Sequence, residues 1–446
     1  MAELVLPGVF VEVRAEGLML PQGVTVGNLG VVGTASKGPI GQPVILGSYA
    51  EAKETFGDYD PWNDESGGKL TLVRALELAF RHGATTLIAV RVAKKATDNP
   101  DKEWEATAAK LDLKSGDQPC LRLEARWAGT WGNELEARVD PAEEDAFVEG
   151  ETVEVDDSTW KLQHAPALPS ARNRIVVESA GGGLPQTLQI RDPKDISKEK
   201  PLVPGQVLLD SDGKLDFGKE PATEDVVRAD YSVDAKKAKK VTLRYRGAEE
   251  VYTVVGKEDL ARGLAKSAWV TGKVLEGDGE SLEKAPLQSL TGGTNGAVGA
   301  DYQGGLDKLL DQPVHIVVAA GQDQSFGDEL ASHCRVASSD EVQRERVAVV
   351  GSGPGVEIGD LLKHQQASDR LLFVAPGIQA IDAAASPPRE VTLPGSYAAA
   401  AVAGRMAATS PHVSLTNKVL PVGGLETVFS RAELKQLVLA RILVLE

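Results

Sequence analysis

The stretch RVAVVGSGPG, residues 346–355, has the pattern of an apolar strand that runs into a glycine-rich turn. Turns of this kind hold a dinucleotide when glycines occupy the first, third and sixth positions and an acidic residue follows about twenty residues later. Counted from Gly351, the sixth position is Val356, and the next strand, LLFVAPG, carries no carboxylate. We therefore predict that Gly351, Gly353 and Gly355 turn a corner between a strand and a helix. A nucleotide-dependent α/β enzyme that uses the Gly351–Gly355 loop is the alternative.

The segments around this turn alternate between strand and helix patterns. VHIVVAAG, VAVVG and LLFVAP are apolar runs, and DYQGGLDKLL, GDELASHC and GDLLKHQQ between them have helical spacing. The same alternation occupies residues 24–93, where SYAEAKETFG and LTLVRALELAFRHG separate LGVVGTA from TTLIAVRVA. Alternating strands and helices favour a parallel, doubly wound sheet. We predict one α/β domain that is built from both ends of the chain.

The middle of the chain has a different sequence pattern. Short alternating runs such as LRLEARW, RIVVES, VTLRYRG and EVYTVVG are separated by acidic, turn-rich stretches. This pattern predicts a β-rich domain inserted into the α/β domain, and an α+β fold for the whole chain. The predicted boundaries are an extended arm at 1–20, a first part of the α/β domain at 21–100, the insertion at 101–288 and the second part at 289–446.

The composition excludes several classes of protein. The 446 residues carry a net charge of -17, which disfavours nucleic acid as a partner because phosphate binding needs clustered basic residues. The one basic run, residues 236–240, has the composition of a solvated loop. No apolar segment is long enough to cross a membrane. We expect a soluble protein of a reducing compartment, with Cys120 and Cys334 unpaired.

No constellation of residues points to catalysis, to a cofactor or to a metal. The six histidines are scattered, and no metal-ligand spacing or Ser/His/Asp order is present. His333 and Cys334 are adjacent, but neighbours on a helix point in different directions, so we do not expect a catalytic pair. We therefore predict a protein that is not an enzyme and has no cofactor.

The N-terminal segment has strand periodicity without a hairpin partner. Val9, Val11 and Val13 alternate with Phe10 and Glu12, and glycines flank the run. A lone strand of this kind pairs with a distant edge, which we predict to belong to another copy of the chain. Pairing within its own domain is the alternative.

Several motifs, taken in order, resemble the contractile phage tail sheath proteins. LPGVFVEV is followed by VVGTASKGPIGQPVILGSYAEAKETFG, then by WAGTWGNELEARV, by LTGGTNGAVGADYQGGLDKL and by TSPHVSLTNKVLPVGGLE. Asn295 stands where that family commonly has Asp. The resemblance covers most of residues 1–140 and 285–430, and it includes the related contractile injection systems.

The resemblance implies a structural role. A sheath protein of this family polymerises around an inner tube as stacked six-fold rings, and contraction drives the tube through a target envelope. The implied partners are further copies of the chain, the tail tube protein, and baseplate and tail terminator proteins. The implied location is a virion tail or a phage-tail-like particle assembled in the cytoplasm of a bacterial host.

The C-terminal segment SRAELKQLVLARILVLE, residues 430–446, predicts a helix with Ser430 as its N-cap. Arg431, Lys435 and Arg441 give it a local positive charge in an acidic chain. Because the sheath family lines its lumen with the conserved domain, we predict that these residues contact the inner tube. A core helix whose basic residues meet only solvent is the alternative.

Overall fold

The structure is a computed structural model that describes residues 27–97, 103–156, 159–196, 200–210, 212–222, 224–276, 279 and 281–446. The predicted arm residues Val9, Phe10, Val11, Glu12 and Val13 lie outside the described residues.

The first part of the chain forms three strands and two helices. They are β1 (Leu29–Gly33), β2 (Pro43–Leu46), α1 (Tyr49–Phe56), α2 (Leu72–Arg81) and β3 (Leu87–Arg91). Ser48 caps α1, since its side chain accepts the Glu51 backbone N–H at 3.2 Å, and Gly57 ends the helix.

The middle of the chain is almost entirely strands. They are β4 (Lys110–Ser115), β5 (Gln118–Ala125), β6 (Glu136–Pro141), β7 (Ala146–Asp156), β8 (Thr159–Lys161), β9 (Ala167–Leu168), β10 (Arg174–Glu178), β11 (Gln186–Arg191), β12 (Gln206–Leu209), β13 (Lys214–Phe217), β14 (Val226–Val233), β15 (Lys239–Tyr245), β16 (Ala248–Val254), helix α3 (Lys257–Leu264), β17 (Val270–Val274) and β18 (Ala285–Ser289).

The last part returns to alternating helices and strands. They are α4 (Tyr302–Asp307), β19 (Ile316–Ala319), α5 (Gly327–Ala337), β20 (Val347–Gly351), α6 (Ile358–Leu361), β21 (Leu371–Ala375), β22 (Ile378–Asp382), β23 (Arg389–Leu393), α7 (Gly395–Ala407), β24 (Gly424–Leu425), α8 (Arg431–Leu439) and β25 (Ile442–Val444).

Strands from both ends of the chain form one seven-stranded sheet in the order β2-β3-β1-β19-β20-β21-β25. All its neighbours are parallel except the antiparallel edge pair β2–β3. The cores on its two faces are separate: α1, α2 and α7 cover one face, and α4, α5, α6 and α8 contribute to the other. We call this sheet and its helices the body. It confirms the predicted α/β domain built from both chain ends.

Helix α7 is the centre of one layer, and its apolar residues 397–403 are all buried. At Gly404, a Cβ atom would lie 2.4 Å from the carbonyl oxygen of Ala79 in α2. Only glycine therefore allows the two helices to approach this closely.

The inserted module, residues 103–290, contains three sheets. Two are small, β17-β5-β4 and β16-β15-β6-β18, and they share one apolar core. The third closes into a seven-stranded barrel, β10-β11-β12-β13-β8-β7-β14, because β14 also pairs with β10. The β-rich insertion of the predicted fold class is thus confirmed.

The predicted C-terminal helix is wrong beyond Leu439. Arg441 adopts φ +65°, which ends α8, and Ile442–Val444 then pairs with β21 as the edge strand β25. The sheet edge offers these apolar residues backbone partners that a longer helix would lose. The helix predicted in GDLLKHQQ is also shorter, since α6 is a single turn.

Candidate functional site

The Gly351–Gly355 loop turns a corner between β20 and α6. At Gly351, a Cβ atom would lie 1.8 Å from the carbonyl oxygen of Gly395, so the end of β20 packs directly on the start of α7. The Gly353 N–H donates to the Gln324 Oε1 at 2.7 Å, and the Gly355 N–H donates to the Glu426 Oε1 at 2.8 Å. Side chains therefore already use two of the N–H groups that a phosphate would need, and one of these side chains is a carboxylate.

The usual ligand crevice of a doubly wound sheet lies where the strand order reverses, here beyond the carboxyl ends of β1 and β19. Buried side chains fill this place. The Tyr302 hydroxyl lies 2.9 Å from the Thr71 Oγ1 and donates to the Ala320 carbonyl oxygen at 3.0 Å. At Gly321, a Cβ atom would lie 2.6 Å from Thr71 and 3.4 Å from the Tyr397 hydroxyl. This geometry leaves no space for a nucleotide at the switch point.

His333 and Cys334 are buried in α5 and do not form a nucleophile–base pair. The Arg346 guanidinium donates to the His333 Nε2 at 3.0 Å, so that nitrogen must be unprotonated. Burial, assisted by the positive charge of Arg346, lowers the pKa of His333 to about 4. Burial also raises the pKa of the Cys334 thiol to about 11. A neutral histidine and a protonated thiol are inert at neutral pH.

Two of the quoted motifs contact each other where the inserted module joins the body. Trp131 of the WGN motif is 1% exposed, and its indole N–H donates to the Trp127 carbonyl oxygen at 3.0 Å. The Asn133 Oδ1 accepts the Gly293 N–H at 2.9 Å, while the Asn133 Nδ2 donates to the Gly293 carbonyl oxygen at 3.0 Å. The Asn133 side chain therefore pairs with both the N–H and the carbonyl oxygen of Gly293, and so the WGN motif holds the backbone of the GGTNG motif.

Asn295 supports the same contact from the other side. Its Oδ1 accepts the Thr130 N–H at 2.7 Å, and its Nδ2 lies 3.1 Å from the Thr130 Oγ1. The Thr107 hydroxyl donates to the Gly292 carbonyl oxygen at 2.6 Å. An amide at position 295 can both accept and donate here, whereas a carboxylate could only accept.

A buried arginine, Arg91, connects the SKGPIG motif to the place where the WGN and GGTNG motifs meet. Arg91 ends β3 and is fully buried, and its Nη1 donates at 2.7 Å to the carbonyl oxygens of Gly38, in SKGPIG, and Ala128. Its Nε and Nη2 have no hydrogen-bond partner among the described residues, and burial lowers its pKa to about 9. Arg91 was not among the predicted site residues, although a charged residue inside the apolar run TTLIAVRVA was a visible signal.

The three predicted tube-contact residues are all exposed, but they do not all lie on one helix. Arg431 and Lys435 are exposed and lie one turn apart on α8, while Leu437 is buried beneath them. Arg441 is exposed in the turn after the helix, so its predicted position on the helical face is wrong. Val438 and Leu439 are 62% and 74% exposed, which gives the basic region apolar neighbours.

Among the described residues, no helix has the length and apolar character needed to cross a bilayer. Within the same residues, no cluster of three or more histidine, cysteine or acidic side chains has the arrangement of a metal site.

Two sheath tail proteins of known structure have a similar fold. The protein from Desulfitobacterium hafniense aligns with a TM-score of 0.54 and 14% identity, over 98% of this chain and 71% of that one. The protein from Listeria innocua aligns with a TM-score of 0.51 and 13% identity, over 95% of this chain and 66% of that one. No protein-family model and no curated protein matches the sequence.

These alignments cover nearly all of the chain, the body and the inserted module included. The predicted resemblance to tail sheath proteins is confirmed at the level of the fold. The chain spans about two thirds of the length of the Listeria protein.

Proposed function

We propose that this chain is a structural subunit of a contractile tail sheath, which polymerises around an inner tube and contracts to drive the tube through a target envelope. The observation that carries the proposal is the sheath tail fold along almost the whole chain. The contacts among the WGN, GGTNG and SKGPIG motifs support it, because they give those motifs a shared role in holding the inserted module on the body.

The division of the chain follows from this role. We propose residues 1–20 as an arm that links subunits, residues 21–100 and 289–446 as the conserved sheath domain, and residues 101–288 as an outer domain. The acidic chain assembles with further copies of itself, with a tube protein, and with baseplate and terminator proteins. Assembly takes place in the cytoplasm of a bacterial host, and the product is a virion tail or a phage-tail-like particle.

The linkage between subunits is proposed to use backbone pairing. Val9–Val13 would add as a strand to an open sheet edge of a neighbour, where main-chain hydrogen bonds supply affinity. The two edge strands of the described seven-stranded sheet are short: β2 lies on one side and β25 on the other. Pro43 begins β2 and lacks an N–H, which makes β25 the better acceptor of the two.

The inner tube is proposed to contact α8. Arg431 and Lys435 present positive charge on the exposed side of the helix, and Val438 and Leu439 add apolar surface beside them. An acidic tube surface would complement this region, and the charges would fix orientation more than they raise affinity. Arg441 would contribute from the following turn.

A nucleotide-dependent enzyme is not proposed. The Gly351–Gly355 loop is bonded to Gln324 and Glu426, and side chains fill the switch point of the sheet.

Electron microscopy tests the proposed function directly. The purified chain, viewed in negative stain with and without its tube protein, is expected to form hollow tubes of uniform diameter. A chain that stays monomeric at all concentrations, alone and with the tube protein, would contradict a sheath role.

A further inference from the structure

The inserted module is held on the body at two adjoining places. The first is the neck, where the chain passes between them at residues 91–97 and 291–301. There the Lys94 N–H donates to the Gly296 carbonyl oxygen at 2.7 Å, and the Asp301 N–H donates to the Ala93 carbonyl oxygen at 3.0 Å. The second place is a contact between loops of the body and the end of the β15–β16 hairpin.

An aromatic cluster of the inserted module receives a lysine of the body at this second contact. Trp131 and Tyr245 stack edge to face with ring centroids 5.6 Å apart. The Lys37 Nζ lies 4.9 Å from the Trp131 ring centroid and 5.7 Å from that of Tyr245. Its ammonium group also donates to the Glu54 carbonyl oxygen at 3.0 Å, so Lys37 stays anchored to the body.

Arg246 makes the other half of the contact from the hairpin turn. It has φ +48°, and its guanidinium bonds to Asp58 of the body and, with its Nε at 2.7 Å, to Glu134 of the inserted module. The side chains of Arg246, Asp58 and Glu134 are 46%, 36% and 47% exposed. Ion pairs with this exposure are weak and are screened by salt.

The contact therefore combines attractive cation–ring and ion-pair interactions with the free-energy cost of burying the Lys37 charge. Burial lowers the pKa of Lys37; the negative charge of Glu54 opposes this shift, and the positive charge of Arg246 adds to it. Two cations lie near each other here, one over aromatic rings at the edge of the module's core and one on exposed carboxylates. The hydrogen bonds of Arg91 to Gly38 and to Ala128, and those of the neck, do not involve these side chains.

We propose that Lys37, Asp58 and Arg246 form a latch that fixes the angle of the inserted module, and that the module pivots about the neck when the latch opens. The proposal rests on the sheath function for its purpose, since a contracting subunit must change its contacts. The latch itself is a property of the isolated chain, so it can be tested where nothing polymerises.

The test measures distances across the neck by pulsed electron spin resonance. Nitroxide labels are placed at A432C on α8 and K273C on β17, two exposed positions, while Cys120 and Cys334 are buried. The latch variant is K37A/R246A. Its matched control is K363A/R244A, which also removes one lysine and one arginine, but from ion pairs inside the body (Lys363–Asp360) and inside the module (Arg244–Glu249).

The proposal predicts one narrow distance distribution for the unmodified latch and for the control. The latch variant should show a second or broader distribution, with the ratio of open to closed molecules raised roughly 5- to 30-fold. The variant D58N should shift the distribution in the same direction. Equal distributions in all variants, equal broadening in the control, or a broad distribution with the latch intact would each overturn the latch. Polymerisation into tubes, scored separately by microscopy, reports on the sheath function alone.

Discussion

The side-chain amide of Asn133 faces the peptide of Gly293 and makes two hydrogen bonds with it, at 2.9 and 3.0 Å. The two residues are 160 positions apart in the sequence, and each lies in a motif that was quoted for its own pattern. The pairing fastens the turn between β5 and β6 to the segment after β18, by which the chain leaves the inserted module.

Asn133→Ala should destabilise the protein by about 1–3 kcal/mol, because the Gly293 N–H and carbonyl oxygen lose their partners in a half-buried place. Urea unfolding monitored by tryptophan fluorescence measures the change. Asn63→Ala is the control: it removes an amide that caps an exposed turn at Glu65 and Ser66, and it should cost about 1 kcal/mol or less. An equal decrease in the free energy of unfolding in the two variants would show that Asn133 contributes no more than a residue of an exposed turn.

The stability of the protein should fall in mild acid because of His333. Its pKa is about 4 in the folded protein, against an ordinary value near 6.5 in the unfolded chain. Between these values the unfolded chain binds one more proton, so the free energy of unfolding falls by about 1.4 kcal/mol for each pH unit of acidification. Unfolding curves at pH 7.5, 5.5 and 4.5 measure the slope.

The control for this slope is His333→Gln. Its amide oxygen can still accept the Arg346 hydrogen bond, but it does not titrate. The difference in slope between the two proteins isolates the contribution of His333 from that of other groups. Identical slopes would show that His333 does not govern acid stability.

A buried ion pair holds the β22–β23 hairpin on α2. The Arg74 and Asp382 side chains are 3% and 0% exposed and lie 3.2 Å apart, and the Asp382 carboxylate also accepts the Trp62 N–H at 2.7 Å. Asp382→Ala leaves the Arg74 charge buried without its partner and should cost about 3–5 kcal/mol. Asp64→Ala breaks the exposed pair with Arg389 and should cost about 1 kcal/mol or less. Chemical denaturation distinguishes the two outcomes, and a small loss in Asp382→Ala would argue against the importance of the buried pair.

Much of the fold followed from local patterns. Apolar runs separated by amphipathic segments predicted the body, and the quoted segment SYAEAKETFG contains the Ser48 cap and the Gly57 that ends α1. The failure at the C-terminus has a physical reason. The apolar residues after Leu439 continue a helical spacing, but β21 offers them an open edge, and this tertiary pairing outweighs local propensity. Closure of the barrel by β10 and β14 also depends on a long-range pairing that local patterns do not encode.

The candidate sites were predictable only in part. The absence of the third glycine and of the ribose carboxylate predicted that the Gly351 loop turns a corner. The close packing around Gly351 could not be predicted, because the residue that leaves no space for a side chain there is Gly395, which belongs to another element. Likewise, WGN and GGTNG were visible as motifs, yet only the fold brings Asn133 against Gly293.

Deletion of residues 1–17 should leave a folded protein that no longer polymerises. The arm contains the strand pattern Val9–Val13, while, among the residues that the structure describes, the cores of the body are formed from Leu29 onward. Circular dichroism and the melting temperature should match those of the full chain, and negative-stain images should show no tubes. Tubes formed by the truncated chain would exclude strand exchange by the arm.

The α8 region offers the sharpest test of tube contact. Arg431→Glu with Lys435→Glu reverses two exposed charges, and against an acidic tube it should weaken co-sedimentation with tubes by at least about tenfold. The melting temperature should be unchanged, because only Leu437 of the helix is buried. Arg441→Glu, tested separately, should have a smaller effect, since Arg441 lies in the turn outside the helix.

The matched control reverses two basic residues on the same face of the sheet, Lys308 and Arg335, which are exposed at the ends of α4 and α5. It changes the net charge by the same amount without touching α8. Loss of tube binding in the α8 variant and not in this control would locate the contact. Equal loss in the two variants would mean that the tube responds to overall charge, and normal binding by the α8 variant would mean that Arg431 and Lys435 meet only solvent.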